Sequence, residues 1–359
     1  MSTMNDSQQH LSGTSHMTNR RDFLAASAAV VAGTLYADDP QRKPIGSFGI
    51  VIHSYPLRSR EKGFSNPAHF LAFCKERGAD GIQISLGQLA NDDAKALRAE
   101  AEKQFMYIEG SIRPPRDKSD VERFEQELFI SKLCGAAVLR TVVSSGRRYE
   151  VFKTPQDYST FTEKALISLR LAEPVLAKHK MTLAVENHKD YRTDELVAVM
   201  KAMSSEQIGV CIDTGNNLAL LENPTETVEA LAPWTQSCHL KDMGVEESPD
   251  GFLLAEVSLG KGFLDLKRIV EVLKKVRPTI RFNLEMITRD PLRIPCLTDE
   301  YWATLDKVPG RDLARMLALL KKHKEPLPRT SKLSPKDQLA VEDANVRACL
   351  EQGRTKLGL

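Results

Sequence analysis

From Ile45 to about residue 325 the chain alternates between two kinds of apolar spacing. Short continuous runs rich in Val, Ile and Leu, bounded by polar or turn residues, read as buried β-strands. They cover residues 49–53, 81–85, 105–109, 137–143, 181–186, 208–213, 237–239 and 280–285. Longer stretches with helical periodicity separate them, over 68–77, 93–103, 121–134, 158–178, 193–203, 224–232 and 264–276, and an eighth follows over 312–323. Thr154-Pro155 and Asn223-Pro224 set a capping residue ahead of a proline, which suits the first turn of a helix. Eight strand–helix units of about 25–35 residues predict an α/β fold, a parallel sheet closed as a (β/α)8 TIM barrel. A doubly wound open sheet is the rival, but nothing like GxGxxG follows the first strand.

Both ends differ from this middle. Glu325-Pro-Leu-Pro-Arg329 reads as a linker, and Ser334-Pro335 starts an amphipathic helix that runs to about Gly353. With eight units already filled, this 326–359 extension is expected outside the barrel or against a second copy of the chain, which leaves a homo-oligomer open. At the other end, Arg20-Arg21 precedes a weakly apolar run over 25–35, the pattern of a Tat export signal. The run is too short for a stable membrane anchor. Met17 offers an alternative start, and cleavage near Ala37 fits the small residues there. The expected division is thus 1–40 as signal peptide and disordered N-terminus, 41–325 as barrel, and 326–359 as linker and helix, in an exported, periplasmic protein.

Composition narrows the function classes. The 359 residues are 42% hydrophobic and 27% charged with a net charge of +2, so no electrostatic case exists for a nucleic-acid partner. The six cysteines show no CxxC spacing, and Cys211 and Cys238 fall inside apolar runs, which favours buried thiols over a disulfide framework.

The chemistry lies at the strand ends. Glu186, Asp213, His239 and Glu285 close the fifth to eighth runs, where a parallel barrel builds its site. Strand alternation puts Ala184, Cys211, Ser237 and Asn283 beneath them, a small or polar layer, while Leu183, Val185, Val210, Ile212, Phe282 and Leu284 face the helices. Each acid alone could be an ordinary buried ion pair, but four such groups at equivalent strand ends argue for a divalent metal site. Oxygen-rich ligation with one imidazole suits Mn²⁺, with Co²⁺, Mg²⁺, Zn²⁺ and Fe²⁺ as the other candidates. Such an ion polarises a carbonyl and acidifies the adjacent C–H, and Glu186 and Glu285 are placed to move that proton. Candidate substrate contacts at other strand ends and loops are His53, Glu109, Arg140, His188, Asn216, Lys241 and Arg289. Tyr301-Trp302 offers an apolar wall for a sugar.

Val185-Glu186-Asn187-His188, Ile212-Asp213-Thr214-Gly215, His239-Leu240-Lys241-Asp242 and Leu284-Glu285 resemble the strand ends of the xylose-isomerase-like TIM-barrel superfamily, the sugar phosphate isomerases/epimerases. The resemblance spans about residues 45–325. It implies that Glu186, Asp213, His239 and Glu285 are the metal ligands, with Glu186 and Glu285 also the acid/base pair. Leu259-Gly260-Lys-Gly262-Phe-Leu-Asp265 looks like the family's turn before the seventh helix. The epimerase and endonuclease branches carry a histidine three residues after the aspartate, and here that residue is Asn216. The expected activity is a metal-dependent isomerase or epimerase acting on a ketose, keto-sugar or polyol. The alternatives are a keto-sugar lyase or dehydratase on the same site, a non-catalytic carbohydrate-binding relative, and, least compatible with the missing histidines, a nuclease.

Overall fold

The computed structural model describes residues 46–144, 146–323 and 325–359, so the export-signal reading of residues 1–40 lies outside the described residues. In chain order the strands are β1 Phe48–Val51, β2 Gly81–Ser85, β3 Tyr107–Ser111, β4 Val138–Thr141, β5 Thr182–Glu186, β6 Ile208–Asp213, β7 Thr235–Leu240, β8 Asp242–Ser248, β9 Gly251–Val257, β10 Phe282–Leu284 and β11 Leu292–Ile294. Eight of them close a parallel barrel in the order β1-β10-β7-β6-β5-β4-β3-β2. The predicted (β/α)8 architecture is therefore present, with a helix following on the outside of each unit and a helical C-terminal extension. Helix starts fall where capping chemistry puts them: Thr154 and Asn223 accept backbone N–H bonds from the first turns of Pro155–His179 and Pro224–Leu231.

Register decides which side chains enter the barrel. Between β6 and β7 the pairing skips one residue, from Val210 opposite Thr235 to Cys211 opposite Ser237. A one-residue slip exchanges inward and outward faces. This irregularity sets Ser237 level with Cys211 and His239 level with Asp213, all buried inside. The outward set, Leu183, Val185, Val210, Ile212, Phe282 and Leu284, joins the large core between barrel and helices.

Three features depart from expectation. β3 begins at Tyr107, two residues later than predicted, because Phe105 adopts a left-handed φ of 55° and ends the preceding turn. Glu109 consequently sits in the middle of its strand rather than at its end. Asp242–Ser248 and Gly251–Val257 form an antiparallel hairpin that, with Leu292–Ile294, makes a three-stranded sheet. It shares a second apolar core with Tyr301, Leu305, Met316 and Leu320. The helix Gly310–Leu320, expected to complete the barrel wall, belongs to that second core instead.

The C-terminal helix Pro335–Lys356 packs on the barrel of its own chain. Val346, Cys349 and Leu350 join the barrel core, and Glu342 accepts the backbone N–H groups of Leu57 and Arg58 at 2.7 and 3.0 Å. Arg77 bonds Asp343, and Arg354 bonds Asp80, so the helix also bridges to the first helical unit. The packing is tight at Gly353, where a Cβ would lie 2.2 Å from Phe48 Cε1. Phe48 is fully buried and cannot swing away. Gly353→Leu should therefore lower unfolding stability by about 2 kcal/mol through overpacking, more than the helix propensity gained. Chemical denaturation alongside Ala348→Leu, a change at an exposed position of the same helix, checks this: equal stabilities would contradict the seam contact.

Candidate metal centre and active site

The four residues singled out at the strand ends meet at one point. Glu186, Asp213, His239 and Glu285 each present a ligand atom, and these atoms all lie within 4.8 Å of one another, every one on a buried side chain. His239 shows how the chain orients them. Its Nε2 lies 2.7 Å from Gln83 Oε1, and Gln83 Nε2 donates to Glu109 Oε2 at 3.1 Å. With Nε2 committed to Gln83, Nδ1 is the nitrogen that could ligate once it gives up its own proton: among the described residues it has no hydrogen-bond partner, and it lies 3.5 Å from Glu186 Oε2 and 3.4 Å from Glu285 Oε1. A metal-binding imidazole has this arrangement: one nitrogen fixed by an outer acceptor and the other aimed at the ligand oxygens. The residues present fit a divalent cation of the hard or borderline kind.

Concentrating three acids out of water requires compensation. Arg140 Nε donates to Glu186 Oε2 at 2.5 Å, and Asn216 Nδ2 donates to Glu186 Oε1 at 2.9 Å. Lys241 Nζ lies 2.7 Å from Asp213 Oδ2 and 2.5 Å from Glu285 Oε2. Asp213 Oδ1 accepts the backbone N–H groups of Gly215 and Asn216. Burial raises all three carboxyls and the cations oppose it, with different outcomes. At Asp213 burial wins over Lys241, and its carboxyl stands at about 6. At Glu186, Arg140 and then His239 overcome burial and hold the group down at about 2. Lys241 and His239 hold Glu285 well below the usual carboxylate range against the same burial.

Above the quartet opens a cavity of about 690 Å³, within the range of about 300–1,000 Å³ common for small-molecule sites. His53, Arg140, His188, Asn216, Lys241, Glu285 and Arg289 line it. His53 Nδ1 is 3.3 Å from Glu285 Oε1, and its side chain remains 44% exposed. Burial draws His188 down to about 4, so its ring is neutral at pH 7. Arg289 makes a two-pronged pair with Glu256, at 2.7 and 3.2 Å.

Two expectations need correction. Glu109 does not line the cavity: it lies one layer below, accepting from Gln83, Ser237 and Asn283, because its strand starts later than read. Tyr301 and Trp302 form no sugar-facing wall; Tyr301 donates to Ala219 O, and Trp302 donates to Cys296 O, within the second apolar core. Reading from sequence also missed several contributors. Gln83 orients His239, and only its inward parity on β2 could have revealed it. Glu256 arrives on β9, in the unforeseen hairpin. Lys189 lines the cavity, buried, with burial and Lys241 lowering it to about 8. Asp242 accepts backbone N–H bonds from Gly260, Gly262 and Leu264, so it pins the turn before the seventh helix.

A closed parallel barrel with a polar quartet at the carboxyl ends of its strands defines a class of barrel fold, and the comparisons specify the family. The chain belongs to the xylose isomerase-like TIM barrel family, whose model matches residues 71–318. It is similar to a D-psicose 3-epimerase solved in the presence of D-fructose: 14% identical, covering 88% of this chain and 100% of that one, with a TM-score of 0.58. A 3-keto-D-glucoside 4-epimerase from E. coli is 13% identical over 78% of this chain and 100% of that one, with a TM-score of 0.51. At these identities the likeness speaks for the fold. The 3-oxo-isoapionate decarboxylase of Pectobacterium atrosepticum is 32% identical over 127 residues, 35% of this chain and 45% of that protein. The match thus spans less than half of that relative's length.

The ion pairs make a testable demand. Lys241 is 1% exposed and faces two buried carboxylates, so Lys241→Met should destabilise the metal-free protein by about 3–5 kcal/mol. An excess of Mn²⁺ should restore part of the lost melting temperature by taking over the charge. Unchanged melting without metal would show that Asp213 and Glu285 do not depend on that ammonium.

Proposed function

We propose that this protein is a metal-dependent enzyme that abstracts a proton beside the carbonyl of a keto-sugar or ketose, giving isomerisation or epimerisation. The observation that carries this reading is His239 Nδ1, buried, unpartnered and aimed between Glu186 and Glu285 at the floor of an open cavity. Glu186, Asp213, His239 and Glu285 would hold the ion. When bound, it supplies a Lewis acid that polarises the substrate carbonyl.

The chain's own groups divide the remaining work. Glu285 reaches the cavity and is held ionised, as a base must be. His53, in contact with Glu285 Oε1 and open to solvent, carries the proton to and from water. Glu186 is covered by Arg140 and Asn216, which fix its oxygens, so its proton transfer is the more restrained of the two. Lys241, beside Glu285 and Asp213, is placed to steady negative charge growing on a substrate oxygen. A second reading is favoured by the 127-residue stretch that is 32% identical to a decarboxylase: release of CO₂ from a β-keto acid, whose C–C bond electrons pass to the carbonyl in place of those of a C–H bond, or expulsion of a group β to the carbonyl after the proton is removed.

Deuterium wash-in from D₂O into a panel of ketoses and 3-keto-glycosides tests the proposal. Wild type should exchange the C–H beside the carbonyl, and Glu285→Gln should slow this by at least about a thousandfold while keeping its fold, the scale of a lost general base. Full exchange by that variant would remove Glu285 from the reaction. Detection of CO₂ or an unsaturated product would select the second reading.

Metal uptake gives a pH signature with a definite sign. Burial lowers His239, but the negative groups around it, Glu285 and Glu186 among them, outweigh burial and raise it well above the usual imidazole range. A ligand imidazole must be neutral, so uptake at pH 7 should release about one proton. Affinity should rise with pH and fall more steeply below about 6, where Asp213 also binds a proton. Calorimetry of Mn²⁺ binding in buffers of differing ionisation enthalpy measures the release. A value of zero would contradict His239 as a ligand.

A further inference from the structure

Among the described residues, every lysine and arginine in the cavity wall has a carboxylate against it except one. Arg140 faces Glu186, Lys241 faces Asp213 and Glu285, Arg289 faces Glu256, and Arg147 faces Glu150. Lys189 is as buried as these, yet among the described residues its ammonium bonds only the amide oxygen of Asn216. A buried ammonium with an amide for a partner is costly unless an anion joins it.

The backbone shows that this placement is imposed. Lys189 adopts a left-handed φ of 65°, a conformation that unbranched L-residues take up only when the surroundings dictate it. Asp190 Oδ1 accepts the backbone N–H groups of His188 and Tyr191, and the Lys189 carbonyl accepts from Arg148 N at 2.9 Å. These bonds clamp the turn after β5 and direct the side chain into the cavity rather than to solvent. Asn216 completes the seat: its Nδ2 is committed to Glu186, so its oxygen must face Lys189, with Lys241 Nζ a further 3.5 Å away. Asparagine at this position, in place of the histidine of the epimerase branches, supplies that oxygen.

We infer that Lys189 is a specificity-determining residue that seats a carboxylate of the substrate, so the substrate class is a keto sugar acid rather than a neutral ketose. The inference rests on the reading of the site as one that enolises a keto-sugar, and it adds the charged end of that substrate. A carboxylate suits one ammonium, His188 and the open end of the cavity. A phosphate dianion is better served by a guanidinium fork, and the forks of Arg140 and Arg289 are already closed on acids.

The test uses the Mn²⁺-loaded protein and three probes sharing one carbon skeleton: 2-keto-D-gluconate, D-fructose and D-fructose 1-phosphate. Titration calorimetry should give at least about tenfold tighter binding of 2-keto-D-gluconate than of D-fructose. Lys189→Met, which keeps the unbranched stem, should bring the two within about twofold by weakening only the acid, and Lys189→Arg should keep most of the preference. Equal binding by wild type, no binding of the acid, or a preference that survives in Lys189→Met each overturns the inference. Tighter binding of the phosphate overturns the choice of carboxylate. Deuterium wash-in on the same samples separates the two levels. Acid preference without exchange sinks the enolisation reading and keeps the seat, whereas exchange on ketoses with no acid preference does the reverse.

Discussion

Three carboxylates and an imidazole crowd within 4.8 Å inside the barrel, and nothing else in the structure could be arranged as it is if their charges were not balanced. Arg140 and Lys241 do that balancing from opposite sides, one on Glu186 and the other on Asp213 and Glu285. Both come from strands or strand ends with inward parity, so the pleat that delivers the acids also delivers their partners. Beneath them Ser237, Asn283 and Glu109 form a closed hydrogen-bonded layer, with Gln83 linking Glu109 to His239. Polar residues can fill a barrel interior in this way only when nearly every donor finds an acceptor. The skipped pairing between β6 and β7 is part of the same requirement, since His239 in the other parity would meet the helices.

The part of this arrangement legible in the chain was the part written locally. Alternation within the 181–186, 208–213 and 280–285 runs placed Glu186, Asp213 and Glu285 on one face, and proline with its preceding cap marked helix starts. The resemblance of the four strand ends to a family added the ligand set as a whole. What stayed hidden depends on distant pairing. Glu109 has the inward parity of its strand, and the strand's start at Tyr107, after the left-handed turn at Phe105, puts it a layer below the strand end. Periodicity alone made 312–323 the natural eighth helix. The contact that decides the matter is Gly353 against Phe48, 305 positions away in the chain, and no local pattern contains it.

The hairpin of β8 and β9 shows how an addition to a barrel becomes part of its site. Its strands are apolar on the face that meets Leu305, Met316 and Leu320, which holds it as a small second core. Glu256 lies on the same face as Phe252 and Leu254, opposite Met243, and reaches Arg289 at 2.7 Å and Lys241 Nζ at 3.7 Å. A carboxylate from the addition therefore enters the same charge network as the barrel's own strand ends. Burial would raise Glu256, and Arg289, Lys241 and Lys189 together keep it low, so it remains an anion at neutral pH. An element that an idealised barrel lacks thus contributes a carboxylate to the charge network of the site.

The same lysine that balances the acids leaves room for a cation to share them. Lys241 approaches Glu285 through Oε2, whereas the oxygen turned towards His239 is Oε1. A carboxylate can serve two partners at once through its two oxygens and their separate lone pairs. Asp213 is used more fully, with Oδ1 held by two backbone N–H groups and Oδ2 by Lys241, yet each oxygen keeps lone-pair capacity. Glu186, Asp213, His239 and Glu285 would hold an ion through the lone pairs that remain, with Lys241 still paired to the carboxylates. The ammonium would lower the negative charge that such an ion meets, and it would add to the pull on a substrate oxygen beside it. Lys241 therefore brings positive charge to these acids from the chain itself, whether or not an ion joins them.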